Sequence, residues 1–438
     1  MTTTPPPLTP LQQFLQANPF PLTYFDFAAA LEEGQKKKIV GYYYANEYTP
    51  KLVQQVLETS GFKKSDSPKD SEVIVGSKPK PEFFDNIKIT QRVAHFSKEF
   101  AIGTKTGFHK HILQYQSKQD TSFPCYLQTF ILPDQINEFK ENAGTGLWIQ
   151  KPVGRSHARG IKLIKGVPEL PPGSRVVVQK YAQYPILIDN HKFDIRVYAL
   201  VLSLDPLLIY IYNDGLVRIA EAQWNDSNLD PKIHITTGPN CKVENFTRLW
   251  QALEASKIDP ATIRSRMEDI IIGIICTARD ELISQKNHKS CFELYGFDFL
   301  LTLDGNIYCL EANVTPSMSF QSPEEEALKK QLLVDTFNLS SLPKETPELE
   351  KLYNTIKEAD NKDFTDFMTV LFFDQYQNRT GNYRCIFPTQ AKNASSTKYL
   401  DQPTQADLAL ASWVSTPDEK KPDKMKTYTK VYSKVYFV

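Results

Sequence analysis

Asp298, Glu311 and Asn313 fall on two short apolar runs, Phe297 to Leu303 and Ile307 to Asn313, separated by Asp304-Gly305. Asp-Gly between such runs marks a β-hairpin. With a two-residue loop, Leu303 faces Asn306, and counting back sets Asp298 directly opposite Glu311. Asn313, two residues further on, shares that face. Like charges directly across a ladder destabilise a sheet, and the neighbours Phe297, Phe299, Leu310 and Ala312 are apolar. A cation between the carboxylates resolves the conflict. Oxygen-only ligands suit Mg²⁺, which commonly arrives with a nucleotide phosphate. An edge strand with a wet polar face, or a register one residue off, accounts for the same spacing without a metal.

A second constellation is cationic. Lys192, Asp194 and Arg196 alternate, so all three project from one face of a strand, with Ile195, Val197 and Ala199 on the other. Arg218 follows at the end of the next hairpin. Cations with an orienting Asp can hold a polyphosphate or an acyl phosphate; a surface ion-pair ladder has the same spacing. The third feature, Lys151-Pro152-Val153-Gly154-Arg155-Ser156-His157-Ala158-Arg159-Gly160-Ile161, directly follows a strand. It could fold over phosphates through its cations and glycines, or be an ordinary basic surface loop. It matches neither the P-loop nor the dinucleotide fingerprint. His109 and His111 have no third ligand nearby and read as surface histidines. No Gly-x-Ser-x-Gly elbow or catalytic Cys motif supports acyl-enzyme chemistry.

The elements that must position these groups are short strands and one long helix. Ile39 to Tyr44 reads as a strand, Thr49 to Leu57 as a helix, and the polar stretch Ser65 to Lys80 as a loop. Trp148 to Lys151, Arg175 to Lys180, Asp194 to Ser203 and Leu207 to Asn213 read as strands, with Asn213-Asp214-Gly215 punctuating the next. Ile263, Met267, Ile270, Ile274, Ala278 and Leu282 recur at helical spacing within Ala261 to Leu282. The fold class expected is α+β with antiparallel hairpins. The divisions expected are a flexible leader over 1–38, an α/β segment over 39–92, a central domain over 93–185, a catalytic domain over 186–330, and a helical, partly disordered extension over 331–438, mobile across Gln390 to Lys426. With 438 residues the chain is too long for one ordinary core. Its net charge of +0 gives no reason to expect nucleic acid, so an anionic partner must meet a local basic patch. The six cysteines contain no Cys-x-x-Cys pair and read as buried thiols. Nothing in the sequence is long and apolar enough for a membrane span, and Met1 to Pro10 lacks a signal-peptide core, so a cytoplasmic location is expected.

Taken in order from about residue 90 to 318, these segments resemble the tubulin–tyrosine ligase-like family, which has an ATP-grasp type fold. Val93-Ala94-His95-Phe96 is similar to its Val-Asn-His-Phe, and Phe123-Pro124 with Ile131-Leu132-Pro133 to its Phe-Pro-x-Thr-(x)-Leu-Pro. Trp148-Ile149-Gln150-Lys151-Pro152, Val178-Gln179-Lys180-Tyr181, Lys192-Phe193-Asp194-Ile195-Arg196-Val197-Tyr198 and Gly215-Leu216-Val217-Arg218 resemble further motifs. So do Phe292-Glu293-Leu294-Tyr295-Gly296-Phe297-Asp298 and Leu310-Glu311-Ala312-Asn313-Val314-Thr315-Pro316-Ser317, and Arg379 to Pro388 resembles a segment beyond the core.

The resemblance implies antiparallel sheets flanked by helices and an ATP- and Mg²⁺-dependent carboxylate–amine ligase. It implies Lys105, Lys151 and Lys192 on the phosphates and Gln179, Lys180 and Tyr181 as the hinge around adenine. Arg159, Gly160, Asp194, His234 and Thr236 would complete the nucleotide set. Asp298, Glu311 and Asn313 would hold Mg²⁺, with Arg196 and Arg218 on the acceptor carboxylate and γ-phosphate. The implied substrate is the acidic C-terminal tail of tubulin in microtubules, and the implied donor is glutamate, ahead of glycine and then tyrosine. A monomer is expected, at the cytoskeleton, with cilium, axoneme and basal body as implied places. Lys36, Lys37, Lys38, Lys63, Lys64, Arg155 and Arg159 are candidate tail contacts, whose binding salt would weaken. Three departures stand out: Ala158 replaces a family glycine, Thr237 replaces the asparagine of His-Leu-Thr-Asn, and the insertion after it is short. They leave two other readings open, a non-catalytic ATP- or microtubule-binding scaffold and a ligase for another acidic substrate.

Overall fold

The computed structural model describes residues 24–29, 38–76, 84, 87–88, 90–118, 124–155, 158–238, 240–283, 290–340, 344, 362–390, 400, 402–421 and 423–424. Three sheets organise them. The first is parallel, in the order β2-β1-β3-β4, with β1 Gly41–Ala45, β2 Phe62–Ser65, β3 Val73–Val75 and β4 Arg92–Val93. Val73-Ile74-Val75 lies inside the stretch expected to be a loop; its three side chains are buried, and apolar burial outweighs the polar flanks. Helix α1, Lys51–Thr59, follows β1 and begins after Pro50.

The second sheet is a small antiparallel lobe in the order β5-β8-β6-β7: β5 Thr129–Leu132, β6 Leu147–Pro152, β7 Lys162–Lys165 and β8 Val176–Lys180. It has its own core of Phe130, Leu132, Phe139, Trp148, Val176 and Val178. Helix α2, Lys105–Ser117, belongs instead to the main core through Phe108, Ile112 and Tyr115, whereas helix α3, Ile136–Ala143, supplies Phe139 to the small lobe. His109 and His111 on α2 are buried, contrary to the expected surface position. His109 Nδ1 lies 3.3 Å from Tyr126 Oη, and His111 contacts Gln114 and Glu281.

The third sheet has seven strands. Its path is β12-β11-β10-β13-β14, with β9 beside β10 and β15 beside β11. They are β9 Leu187–Ile188, β10 His191–Leu204, β11 Leu207–Ile219, β12 Lys242–Glu244, β13 Glu293–Leu301, β14 Ile307–Val314 and β15 Tyr383–Phe387. Period-two alternation on β10 feeds two cores. Ile195, Val197, Ala199 and Val201 pack with helix α4, Phe246–Ala255, and with α5, Pro260–Ile283. Tyr198, Leu200 and Leu202 pack with helix α6, Pro323–Leu339, and with the first sheet. Asn213-Asp214-Gly215 does not end a strand. It is absorbed as a bulge in β11, since the register runs from Val197↔Gly215 to Ala199↔Ile211.

The chain ends depart from their expected divisions. Within the expected leader, Phe25 and Phe27 are buried against Phe62, Phe27 stacked on its ring and Phe25 tilted to it, while most of 1–38 lies outside the described residues. A boundary at 330 would cut α6. Pro343 to Asp360 lies outside the described residues apart from Lys344. Within the stretch expected to be mobile, helix α7, Gln405–Val414, carries a Thr404–Asp407 capping box and buries Leu410 and Trp413. Asp407 also pairs with the buried Arg279 of α5 at 2.7 Å. Among the described residues no helix is long and apolar enough to cross a membrane. The α+β class with antiparallel sheets flanked by helices is as expected.

Candidate active site

The hairpin β13–β14 sets Asp298 opposite Glu311 and Gly296 opposite Asn313. The route to that register differs from the two-residue loop. Thr302 N–H donates to Asn306 O, and Gly305 takes φ +79, so the loop holds three residues. That slips the pairing by one, to Phe299↔Cys309, and a bulge at Leu310 restores it before Glu311. Asn313 Nδ2 donates to Glu311 Oε1 at 3.0 Å and lies 3.4 Å from Asp298 Oδ2. The positive end of the amide thus occupies the place between the two carboxylates. Rotating that amide by half a turn presents its oxygen instead, which gives two carboxylates and a carbonyl, a donor set that fits Mg²⁺.

Asp298 is also compensated from the other side. Across the ladder, Arg196 holds it in a fork, Nε to Oδ1 at 2.5 Å and Nη2 to Oδ2 at 3.1 Å. Arg218 Nη2 reaches Asp298 Oδ2 at 2.9 Å. Burial alone would raise the Asp298 pKa, but the two guanidiniums overcome it and hold the carboxyl far below the usual range. Arg218 also forks onto Asp194, opposite it on β10, at 2.6 and 2.8 Å, and Thr236 Oγ1 donates to Asp194 at 2.5 Å. The ion-pair ladder that the same spacing allowed therefore exists, but buried rather than on the surface.

Gly296 makes room for it. A Cβ there would lie 2.9 Å from Arg196 Cδ and 3.0 Å from Pro316 Cβ. An isolated glycine in a strand signals such a close approach, and this was the available cue for a residue that the motif reading left without a role. Lys329 on α6 is a second such residue: buried, paired with Glu325 at 2.7 Å, and close enough for Arg196 and Arg218 to help lower its pKa after burial.

The three lysines expected to meet phosphate lie close enough to act on one another, Lys105 on Lys151 and Lys151 on Lys192. Lys151 on β6 donates to Gln179 Oε1 at 2.9 Å, and Gln179 Nε2 in turn donates to Thr129. Lys192 donates to Tyr181 Oη at 2.9 Å and to His234 O at 3.0 Å. Among the described residues neither ammonium forms an ion pair. Burial lowers both pKa values. Lys105 further depresses Lys151, and Lys151 further depresses Lys192, which is brought down to about 7. Glu311 pulls Lys151 the other way. A partner chain of hydrogen bonds fixes Lys192: Tyr181 Oη lies 2.8 Å from His234 Nδ1, and His234 Nε2 lies 2.6 Å from Asn228 O. A carbonyl only accepts, so Nε2 carries the proton, Nδ1 accepts from Tyr181, and Tyr181 oxygen accepts from Lys192. That linkage joins residues far apart in sequence, and no spacing rule would find it.

Several expected positions differ. Lys105 Nζ donates to the backbone O of Arg155 at 2.7 Å, holding the basic loop. Arg159 and Gly160 stay exposed, and Ser156 and His157 lie outside the described residues. In the hinge Lys180 is exposed, while its N–H donates to Gln128 O and that of Tyr181 to Leu147 O. A base seated there is left with carbonyls and side chains. The Tyr181 ring is engaged by Lys192, 4.4 Å from its centroid, and by His234. Lys63 and Lys64 stand on β2 and Arg155 on the second sheet's loop, so these candidates for the acidic-tail patch belong to two sheets; Lys36 and Lys37 lie outside the described residues.

Ala158, where the resemblance leads one to expect a glycine, has φ +54. An L-residue there costs about 1–2 kcal/mol against its relaxed conformation. Ala158→Gly should therefore leave the protein as stable or more stable by up to about 1 kcal/mol, read as an unchanged or raised denaturant midpoint. A clear loss of stability would contradict the strain.

A sequence model described as the tubulin-tyrosine ligase family matches residues 85–349. Mouse tubulin polyglutamylase TTLL5 is 29% identical over 355 residues, covering 73% of this chain and 27% of the relative. Mouse tubulin monoglutamylase TTLL4 is 26% identical over 442 residues, covering 83% of this chain and 37% of the relative. Tubulin polyglutamylase ttll-4 of Caenorhabditis elegans is 26% identical over 429 residues, covering 84% and 70%. The chain thus spans 27% of the mouse TTLL5 relative's length and 30% of the human one's.

Proposed function

This chain belongs to the tubulin-tyrosine ligase family, and on that premise we propose that it is an ATP- and Mg²⁺-dependent ligase that adds glutamate to carboxylates of tubulin tails. The observation that carries this reading is the buried pair Lys151 and Lys192, with Lys105 close enough to act on Lys151, beside the Asp298 and Glu311 carboxylates that also act on Lys151. Like charges held out of water, as Lys151 and Lys192 are, are costly. A polyphosphate is the anion that compensates all three at once.

The reaction follows from the charges. The acceptor carboxylate attacks the γ-phosphorus of ATP, the bond to the β–γ bridging oxygen breaks, and ADP leaves. The product is an acyl phosphate on the acceptor. The amine of the incoming amino acid then attacks the acyl carbon, phosphate departs, and the amine proton passes to solvent. No protein nucleophile is required. Lys151 and Lys192 offset the phosphate charge, and the outer guanidinium edges of Arg196 and Arg218 draw the acceptor carboxylate toward it. Asp298, Glu311 and Asn313 would hold Mg²⁺, which supplies charge neutralisation at the transferred phosphoryl group. The buried forks on Asp298 and Asp194 keep both arginines oriented before substrate arrives. Glutamate as donor, and tubulin as acceptor, are supported by the names of the relatives. The cytoskeleton is the corresponding location.

Intact-mass spectrometry of tubulin tails tests the donor. Unmodified microtubules are incubated with the protein, Mg²⁺-ATP and equal glutamate, glycine and tyrosine. A ladder spaced by one glutamyl mass is expected. A glycyl or single tyrosyl addition would replace the donor assignment, and no addition would favour a non-catalytic scaffold.

Lys192 makes nucleotide binding pH-dependent. Its pKa of about 7 in the ligand-free protein means that it loses its proton as pH rises through neutrality. A bound polyphosphate favours the ammonium, so binding takes up a proton. Above about pH 7.5, where the phosphates are fully ionised, ATP affinity should fall with pH by up to about tenfold per unit. Calorimetry in buffers of different ionisation heat would measure the uptake. The same shift makes the ligand-free fold gain stability from about pH 7 to the usual lysine value of 10.5, because the unfolded chain keeps the proton longer. Affinity that stays flat or rises over that window would contradict the assignment.

A further inference from the structure

Trp250 on α4, Arg264 and Glu268 on α5, and Arg384 on β15 line an open cleft of about 430 Å³. Helices α4 and α5 cover the face of the large sheet formed by Ile195, Val197 and Val217, whereas Lys192, Asp194 and Arg196 alternate to the other face. The cleft is therefore separate from the proposed nucleotide and Mg²⁺ residues. The Arg264 guanidinium lies over the Trp250 ring, 4.8 Å from its centroid. Both acids that act on it electrostatically are committed elsewhere. Glu268 Oε1 accepts from Arg384 Nη2 at 2.6 Å, and Asp214 Oδ1 accepts from the backbone N–H groups of Gly215 and Phe246 at 2.8 and 3.0 Å. Among the described residues Arg264 makes no ion pair or hydrogen bond. Burial first, and then the Arg384 charge, pull its pKa below the usual guanidinium value.

We infer that this cleft is a second binding site, which takes a side-chain carboxylate of an acidic peptide. The inference rests on the reading that this chain works on acidic polypeptides, and it adds a place where such a polypeptide is held away from the chemistry. Stacking on the indole steadies the guanidinium and leaves its N–H donors unspent. Arg384 is paired with the buried Glu268, and with the exposed Glu254 the lining carries two cations and two acids, so it is neutral as a whole and Arg264 is the cation whose donors stay open. That suits a single carboxylate, whereas a polyphosphate would also meet Glu268 and the exposed Glu254 at the rim. A peptide with many carboxylates can engage here with one and offer another to Arg196 and Arg218, which raises its effective concentration at the reactive face.

The test uses the full chain and a fluorescein-labelled oligoglutamate peptide, followed by anisotropy, beside steady-state kinetics on microtubules. Arg264→Gln should weaken peptide binding about tenfold, the value of one charge-assisted contact. It should raise the acceptor KM to a similar degree and leave the KM for ATP unchanged. Arg264→Lys, which keeps the charge and loses the fork, should fall between. Equal peptide affinity in wild type and Arg264→Gln would overturn the site. The ATP KM reports folding, and a change there in Arg264→Gln moves the comparison to Arg264→Lys, where unchanged peptide binding would again overturn it. The two readings separate cleanly. Ligation with an unaltered acceptor KM in Arg264→Gln removes the cleft and keeps the ligase. Arg264-dependent peptide binding without any ligation keeps the cleft and removes the ligase.

Discussion

Asp298→Ala should unfold the site as well as silence it, whereas Glu311→Gln should silence it alone. Asp298 is buried and carries ion pairs to both Arg196 and Arg218. Its removal leaves Arg196 without a carboxylate in a place where water cannot replace one. Breaking a buried pair by deleting one partner costs about 3–5 kcal/mol, which a denaturant midpoint would register. Glu311 is half-buried, and its hydrogen bond comes from Asn313. Glutamine keeps the shape, so stability should change by about 1 kcal/mol or less. Turnover should nevertheless fall by about 10²–10³-fold, the usual loss when a charged group serving the transition state is neutralised. Two variants that lose stability equally would mean that Glu311 has a structural role instead.

Gly296→Ala should damage the site by a single added methyl. The new Cβ would stand 2.9 Å from Arg196 Cδ, 3.0 Å from its Nε and 3.0 Å from Pro316 Cβ. Arg196 cannot retreat easily, because both ends of its fork are bound to Asp298. Overpacking of this kind costs about 1–3 kcal/mol. Displacing a positioning group by roughly an ångström costs about 10²-fold in rate. The nucleotide-side ammonium groups do not touch Gly296, so ATP affinity should survive while kcat falls. A variant with normal kcat would show that Arg196 is not held by that contact.

Much of the site was legible because it obeys short-range rules. Alternation set Lys192, Asp194 and Arg196 on one face, and hairpin counting set Asp298 against Glu311. That pairing came out right although the loop has three residues, since the Leu310 bulge cancels the slip. Which strand lies next to β10 is a non-local fact, so the Arg196–Asp298 fork was not readable from either strand alone. The same limit hid the Tyr181–His234–Asn228 chain and the Lys105 contact with the Arg155 carbonyl. Local composition misled at Val73-Ile74-Val75, at the β11 bulge and at α7, where tertiary burial overrode polar or turn-forming neighbours. His109 and His111 misled for a similar reason: α2 turns them into the core, and helical position says nothing about which core it meets.

In the proposed reaction these cations and acids activate a tail carboxylate by phosphoryl transfer from ATP. Hydroxylamine trapping addresses it directly. Tubulin, the protein, Mg²⁺-ATP and hydroxylamine are mixed without any amino acid, and the tails are analysed by mass spectrometry while ADP is counted. Hydroxamate is expected on glutamate side chains, formed together with ADP and missing in Glu311→Gln. Tails that remain free of hydroxamate under conditions where added glutamate is still ligated would contradict an acyl phosphate made in this site.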